Sequence, residues 1–309
     1  MHKIVVTGAA GLVGQNLVAR LKARNDLQLV GIDKHQANVR LFRRIHPETQ
    51  IIEADLSSPG EWMNQFSGAD AVIINQAQIG GLNPLEFEAN NVTATKQILS
   101  AVDANRVPYF VGISSSVVNS RADDLYTRSK SAQERLFEAS TVPHVILRPT
   151  LMFGWFDRKH LGWLRRFMDR TPLFPIPGKG NYVRQPLYVG DFVSIIVAAV
   201  DRKKTGTFDI SGLEQITYAN LIDLIHEIVK PRARVVHIPY SVFWLLLWLN
   251  ARINRDPPFT TNQLEALVIP ETFPVIDWPK EFRVEPTPLR QALSDTFLDP
   301  KYSNVTLSF

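Results

Sequence analysis

Tyr126 and Lys130 stand four positions apart in Tyr126-Thr127-Arg128-Ser129-Lys130, a run with helical pattern, so both side chains fall on one face. A phenol beside an ammonium is an acid of adjustable strength. Bringing a tyrosine from about pKa 10 to near 7 takes roughly 4 kcal/mol, and a lysine about 4 to 5 Å away supplies that at an effective dielectric of about 20. Such a phenol exchanges a proton with a hydroxyl or carbonyl while hydride moves at the adjoining carbon. Ser114-Ser115-Ser116, at the end of a strand-like run, lies just ahead of that helix, where a hydroxyl can meet the same oxygen. Taken alone, Tyr-x-x-x-Lys is a frequent surface pattern and strand-end serines form turns. The chemistry depends on what accompanies them.

What accompanies them is a phosphate cradle. Thr7-Gly8-Ala9-Ala10-Gly11-Leu12-Val13-Gly14 follows an apolar strand, Ile4-Val5-Val6, and leads into a helical run. Gly8 allows the turn off the strand, Gly11 lets backbone approach a pyrophosphate, and Gly14 lets helix and strand pack closely. The backbone from Ala10 through Leu12 and Val13 then presents N–H groups and the positive end of the helix dipole to the anion. The spacing is G-x-x-G-x-x-G, a variant of the more usual G-x-G-x-x-G. Asp33 closes a second strand, Gly31-Ile32-Asp33, where a carboxylate accepts hydrogen bonds from the adenosine ribose. A 2′-phosphate about 5 Å away would meet a repulsion of roughly 3 kcal/mol per charge at a dielectric of about 20, which favours NAD over NADP. Lys34, Arg40, Arg43 and Arg44 offset part of that, and a turn aspartate is the alternative role. Asp55-Leu56, after the third strand, is placed on the adenine amino group, with a solvated turn as the alternative.

These residues need elements to hold them. Strand-like runs at 2–7, 27–33, 49–54, 70–76, 108–114 and 143–148 alternate with helical stretches at 12–24, 84–105 and 124–140, the second opening on Asn83-Pro84. This predicts an α/β fold: a Rossmann-type, doubly wound parallel sheet with right-handed crossovers. After Arg148-Pro149 aromatics, prolines and glycines crowd residues 153–188, as expected of a smaller α+β substrate lobe over the carboxyl ends of the strands. The predicted division is a dinucleotide domain over 1–150, rejoined by about 186–212 through Thr207-Phe208-Asp209-Ile210-Ser211, and an interleaved lobe over 151–309. The last ten residues read as a loosely held tail.

Glycine loop, acidic strand end, serine at the fifth strand and Tyr/Lys helix, in this order, resemble the extended branch of the short-chain dehydrogenase/reductase superfamily, the NAD-dependent epimerase/dehydratase family that acts on nucleotide sugars. The resemblance implies Ser115, Tyr126 and Lys130 as the catalytic set, with Lys130 also holding the nicotinamide ribose and lowering the Tyr126 pKa. It places Asn75-Gln76-Ala77 beside the cofactor, and Asn91, in Asn91-Val92-Thr93-Ala94-Thr95, behind the active site. Arg148-Pro149-Thr150-Leu151-Met152-Phe153-Gly154 is similar to the family's R-P-x-x-x-Y/F-G motif. The segment from Gly178 to Asp191 is similar to its diphosphate-contacting segment, which puts Arg184 on the substrate diphosphate unless it pairs with Asp191. Ser116 is the other expected substrate contact. Ser116-Val117 stand where the family's dehydratases carry an acidic pair, so dehydration is disfavoured. Ser115 and Tyr126 are only eleven residues apart. A short stretch is shared with members that lack the Tyr/Lys pair, including an accessory subunit of respiratory complex I.

Composition narrows the classes further. The 309 residues, 45% hydrophobic, suffice for a large core, and the absence of cysteine excludes disulfides, thiolate metal sites and cysteine nucleophiles. No metal site is expected. A net charge of +4 suits anionic ligands, and the basic groups Arg40/Arg43/Arg44 and Arg202-Lys203-Lys204 read as solvated faces, so no nucleic acid is expected. The first strand starts at His2 with no apolar leader before it, which points to the cytosol. The longest apolar run, Val242 to Leu249, falls short of the roughly 18 residues that span a bilayer, and reads as a buried lobe helix or, failing that, a peripheral membrane anchor. The expected function is epimerisation or 4-keto reduction of a nucleotide-diphosphate sugar by hydride transfer at C4. Alternatives are a non-catalytic dinucleotide-binding scaffold and a reductase of a lipid or steroid-like ketone. The resemblance implies a homodimer through 84–105 and 124–140.

Overall fold

A computed structural model describes residues 2–120, 122–253, 260–270 and 272–308. Six strands come from the first half: β1 (His2–Thr7), β2 (Leu27–Asp33), β3 (Gln50–Glu53), β4 (Ala71–Ile74), β5 (Phe110–Ile113) and β6 (His144–Pro149). Between them run α1 (Leu12–Leu21), α2 (Gln36–Ile45), α3 (Pro84–Phe87), α4 (Ala94–Ala104) and α5 (Leu125–Glu138). Beyond Pro149 follow β7 (Met152–Phe153), α6 (Leu161–Arg170), β8 (Leu173–Pro177), β9 (Val183–Arg184), β10 (Leu187–Tyr188), α7 (Val189–Arg202) and β11 (Gly206–Ile210). The remainder holds β12 (Ile216–Thr217), α8 (Tyr218–Val229), β13 (Arg234–Ile238), α9 (Tyr240–Ile253), α10 (Thr261–Val268), α11 (Trp278–Phe282) and α12 (Leu289–Leu298).

The central sheet has seven parallel strands in the order β11-β6-β5-β4-β1-β2-β3. This is a Rossmann-type doubly wound sheet. Its strands are continuous Val/Ile runs because both faces are covered. One face packs Val13, Leu17 and Val18 of α1 and Phe192, Ile195 and Ile196 of α7. The other packs Ile98 and Val102 of α4 with Trp62 and Phe66 of the preceding loop. Strand order reverses between β1 and β4, so the crevice beyond their carboxyl ends is where a ligand belongs. A separate aromatic and aliphatic core, with Phe153, Phe174, Tyr218, Leu221 and Leu293, holds the smaller lobe together.

Two local readings change, and a third is refined. The expected helix over 84–105 runs without a break to Ala104 and contains one wide turn, Glu88–Thr93, between α3 and α4. Asn91 holds it open, accepting from Gln78 N at 2.6 Å and donating to Ser129 Oγ at 2.8 Å. The C-terminal residues are not a loose tail: Tyr302 and Leu307 are buried, and Ser308 exchanges two hydrogen bonds with the Asn38 side chain. Those partners lie some 270 positions upstream, out of reach of any local pattern. The apolar run of α9 is not buried either. Among its described side chains only Leu247 is buried, because the lobe covers a single face of the helix. Among the described residues no helix is long and apolar enough to cross a membrane.

Candidate active site

Gly8 takes φ +64°, and a Cβ there would lie 2.8 Å from the Gln76 backbone; at Gly14 a Cβ would lie 2.5 Å from the Ala9 backbone. Glycine is required at both for β1, the loop and α1 to close up. Gly11 is the N-cap of α1 and makes no side-chain cap, so the first N–H groups of the helix are open to an anion. Gly8, Gly11, Leu12 and Val13 line a cleft of about 820 Å³ at the switch point. Ala10 acts from behind it: its N–H donates to Asp33 Oδ2 at 3.0 Å, while His35 N donates to Oδ1 at 2.9 Å. Burial pushes the Asp33 carboxyl above its ordinary pKa, and those two N–H groups resist the shift. Lys34 Nζ bonds Asp55 Oδ2 at 3.1 Å and Asn90 Oδ1 at 2.5 Å. Asp55 also caps its own turn through Ser57, and buried Leu56 completes that wall.

Across the cleft lie Asn75, Gln76 and Ala77. Asn75 Nδ2 donates to Gly8 O at 3.2 Å, and Gln76 Oε1 accepts from Thr7 Oγ1 at 2.7 Å. Asn91 does not line the cleft; it acts through Gln78 and Ser129. Ser115, Tyr126 and Lys130 do line it, together with Gly8, Gly11 and Asp33. The structure thus brings the proton-transfer candidates and the phosphate cradle, more than a hundred residues apart in sequence, to one cavity. Ser116 starts a 3₁₀ turn just beyond and stands outside the lining.

The predicted tuning of Tyr126 by Lys130 is absent here. Burial raises the phenol above its ordinary pKa, a hydrogen bond with Ser115 lowers it, and the Asp124 carboxylate raises it further. The Lys130 ammonium instead turns inward, donating to Ile113 O at 2.8 Å and to Gln133 Oε1. Sequence reading missed Gln133, whose amide passes on to Thr95 Oγ1 at 2.9 Å, a hydroxyl that also takes Gln76 Nε2 at 3.0 Å. Its position one turn beyond Lys130, on the same helix face as Tyr126 and Lys130, was the available signal.

Complete enclosure pulls Lys130 down to about 7 from 10.5, against the pull of Glu134. Between those values the unfolded chain binds the extra proton, so stability rises with pH from about 7 towards 10, and the cost of the buried charge is fully present below 7. Replacing Lys130 by methionine is expected to flatten that rise. Urea midpoints of the two proteins at either end of the window check this, and parallel profiles would show the ammonium to be solvated.

Residues 4–211 match the NAD dependent epimerase/dehydratase family. The chain belongs to that family. It falls in the extended short-chain dehydrogenase/reductase branch, with NAD as cofactor. The chain is 24% identical over 248 residues to NADH dehydrogenase [ubiquinone] 1 alpha subcomplex subunit 9, mitochondrial, of Arabidopsis thaliana; the match covers 77% of this chain and 60% of that protein's length. It is 24% identical over 246 residues to the ceramide reductase of Caulobacter vibrioides, over 76% of this chain and 73% of that one. Among solved structures, the UDP-N-acetylglucosamine 4-epimerase of Methanobrevibacter ruminantium M1 in complex with UDP-N-acetylmuramic acid superposes with a TM-score of 0.72 at 18% identity, covering 96% of both chains.

The family's cofactor fits the cleft on its own geometry. Gly8 and Gly11 line it, open helix N–H groups face it, and Asp33 stands at the end of β2.

Arg184 stands outside the cofactor cleft. It lines a second cavity, of about 1140 Å³, between α6, α9 and α10, and its guanidinium donates to the carbonyls of Val183 and Ile269, each at 2.9 Å, and of Leu267. It does not pair with Asp191, which is taken by Thr287 N and Oγ1. The second cavity is lined mainly by Trp163, Leu164, Phe167, Phe174, Phe243 and Leu247, and it shares Arg158, Lys159 and His160 with the cofactor cleft. Sequence reading missed both this lining and the closure of the cofactor cleft by Leu307 and Ser308.

Proposed function

We propose that this protein transfers hydride at a secondary carbinol or ketone carbon, with Tyr126 as the acid/base, Ser115 hydrogen-bonding the reacting oxygen and Lys130 holding the nicotinamide ribose. The observation that carries this reading is the shared cleft of Ser115, Tyr126, Lys130, Gly8, Gly11 and Asp33. NAD, when bound, supplies the hydride donor or acceptor. The Tyr126 phenol can give its proton to a carbonyl oxygen as hydride arrives, or take one from a carbinol as hydride leaves. Ser115, hydrogen-bonded to that phenol, orients the same oxygen.

The family supports a nucleotide-diphosphate sugar as substrate, reacting at C4 in an epimerase or 4-keto reductase, with Arg184 and Ser116 as its contacts. A second reading, reduction of a ketone on an amphiphile, is favoured by the cavity next to the cleft. Most of its walls are aromatic and aliphatic, with Arg158, Lys159 and His160 where it meets the cleft, and the Arg184 guanidinium expected for a diphosphate is occupied by three backbone carbonyls. The Caulobacter relative, a ceramide reductase, agrees with this choice. A non-catalytic role, in line with the name of the Arabidopsis relative, predicts no turnover of either class.

The test is NADH consumption with a UDP-4-keto-hexose and with a long-chain 3-ketone in micelles, beside UDP binding to wild type and Arg184→Ala. The amphiphile is expected to turn over, and UDP to bind weakly and equally to both proteins. Faster turnover of the sugar, with a tenfold to hundredfold loss of UDP affinity in Arg184→Ala, about the value of a charge-assisted contact, would establish the nucleotide-sugar reading instead.

A further inference from the structure

We infer that α9 seats the protein on an anionic lipid bilayer and that the apolar cavity beneath it receives the hydrocarbon part of a substrate drawn from that bilayer; this rests on the amphiphile reading above. The two faces of α9 are both largely apolar. Phe243, Leu247 and Asn250, at helical spacing, line the cavity. Val242, Leu245, Leu246 and Leu249 form a stripe on the outer side, between 45% and 51% exposed. Single exposed apolar residues are ordinary, whereas a contiguous stripe on one helix marks an interaction surface.

The chemistry around the stripe selects its occupant. Trp248 stands at its edge, stacked on Trp244 at 6.5 Å, and the Arg252 guanidinium lies 3.8 Å over the Trp248 ring. An indole beside a cation at the end of an apolar helix face suits the headgroup level of a bilayer, where ring and stem are half in hydrocarbon and the charge is in water. From Lys230 through Arg252 the chain carries Lys230, Arg232, Arg234 and Arg252 and no carboxylate, while Glu265 of the neighbouring α10 accepts from Trp244 Nε1 at 3.3 Å. That charge complements anionic lipid. It opposes a second copy on the same face, because a two-fold contact over α9 would bring Arg252 towards its twin. The cavity is large for a small polar metabolite and continues to the cofactor cleft through the residues lining both. A chain lodged under α9 would leave its polar end directed at Tyr126.

The experiment is flotation of the full chain with vesicles of phosphatidylcholine, with and without phosphatidylglycerol, for wild type and for L245E/L249E, which alters the outer stripe alone. Wild type is expected to partition at least about tenfold better onto the anionic vesicles, to lose that binding in high salt, and to have its tryptophan emission quenched by brominated acyl chains. In L245E/L249E partitioning should fall about tenfold with NAD affinity and melting temperature kept. If that variant fails to fold, Leu245→Gln and loss of quenching in Trp248→Phe read the same face. Wild type that ignores both vesicles overturns the proposal, as does binding unchanged in the variants. A dimer that L245E/L249E makes monomeric would assign the face to a second copy, and a protein complex that masks α9 would assign it to a protein partner. Vesicle binding is read without turnover, so it stands or falls apart from the substrate. If L245E/L249E still reduces the 3-ketone in micelles but not in vesicles, the delivery route is upheld; vesicle binding with no reduction of the ketone in either medium would overturn the cavity half of the proposal.

Discussion

Tyr126→Phe is expected to lower turnover between a hundredfold and ten-thousandfold, the usual range for loss of a positioned acid or base, on whichever substrate the wild type accepts. Phenylalanine keeps the ring that packs at the start of α5 and removes only the hydroxyl, so NAD affinity and melting temperature should stay as they are. Ser115→Ala removes a hydrogen bond to the same oxygen while leaving the proton donor in place, and should cost less. Turnover and NADH titration on the three proteins check this. Equal rates in Tyr126→Phe and wild type would end the acid/base assignment and leave the cleft as a dinucleotide-binding site.

The largest stability effect is expected at Glu134, which no local pattern singles out. Its buried carboxylate accepts both from Arg148, with Nε at 3.0 and 3.1 Å to its two oxygens, and from the Ser114 hydroxyl. It ties α5 to β6 immediately under the serine run that carries Ser115. Glu134→Ala leaves Arg148 in a largely enclosed place with only Asp209, 3.6 Å away, as counter-charge. Breaking a buried pair in this way costs about 3 kcal/mol or somewhat more. A chain of this size should then melt roughly 5 to 10 °C lower, since about 1 kcal/mol shifts the midpoint by a few degrees. Replacing both partners by apolar residues, Glu134→Leu with Arg148→Met, should recover much of the loss because neither charge is then left uncompensated. Thermal melts of the single and double variants decide it: a double variant as unstable as Glu134→Ala would show that packing, and not the ion pair, is what the site requires.

The cradle and the sheet were legible because their causes are local. Gly8 and Gly14 are needed by backbone a few atoms away, and the Val/Ile runs of β1 and β4 follow from being covered on both faces. Tyr126 and Lys130 were legible as a pair because helical spacing fixes which residues share a face. The direction of the Lys130 ammonium was not, since it depends on the Ile113 carbonyl and on Gln133, which compete with the phenol for it. Arg184 shows the same division. Its motif context marked it as a functional arginine, yet the carbonyls it meets at 267 and 269 lie more than eighty positions away.

The sequence by itself determined a dinucleotide-binding α/β sheet, the family, and the residue types for hydride chemistry at a carbinol or ketone, because each follows from short-range pattern: strand runs, turn glycines, helical spacing. Only the tertiary structure decided that the C-terminal residues close the cofactor cleft, that the neighbouring cavity is mostly apolar with Arg184 already engaged, and that α9 leaves a greasy stripe in solvent. Those are properties of which distant surfaces meet, and a side chain's burial and free hydrogen-bonding capacity are set by that meeting, not by its neighbours in sequence.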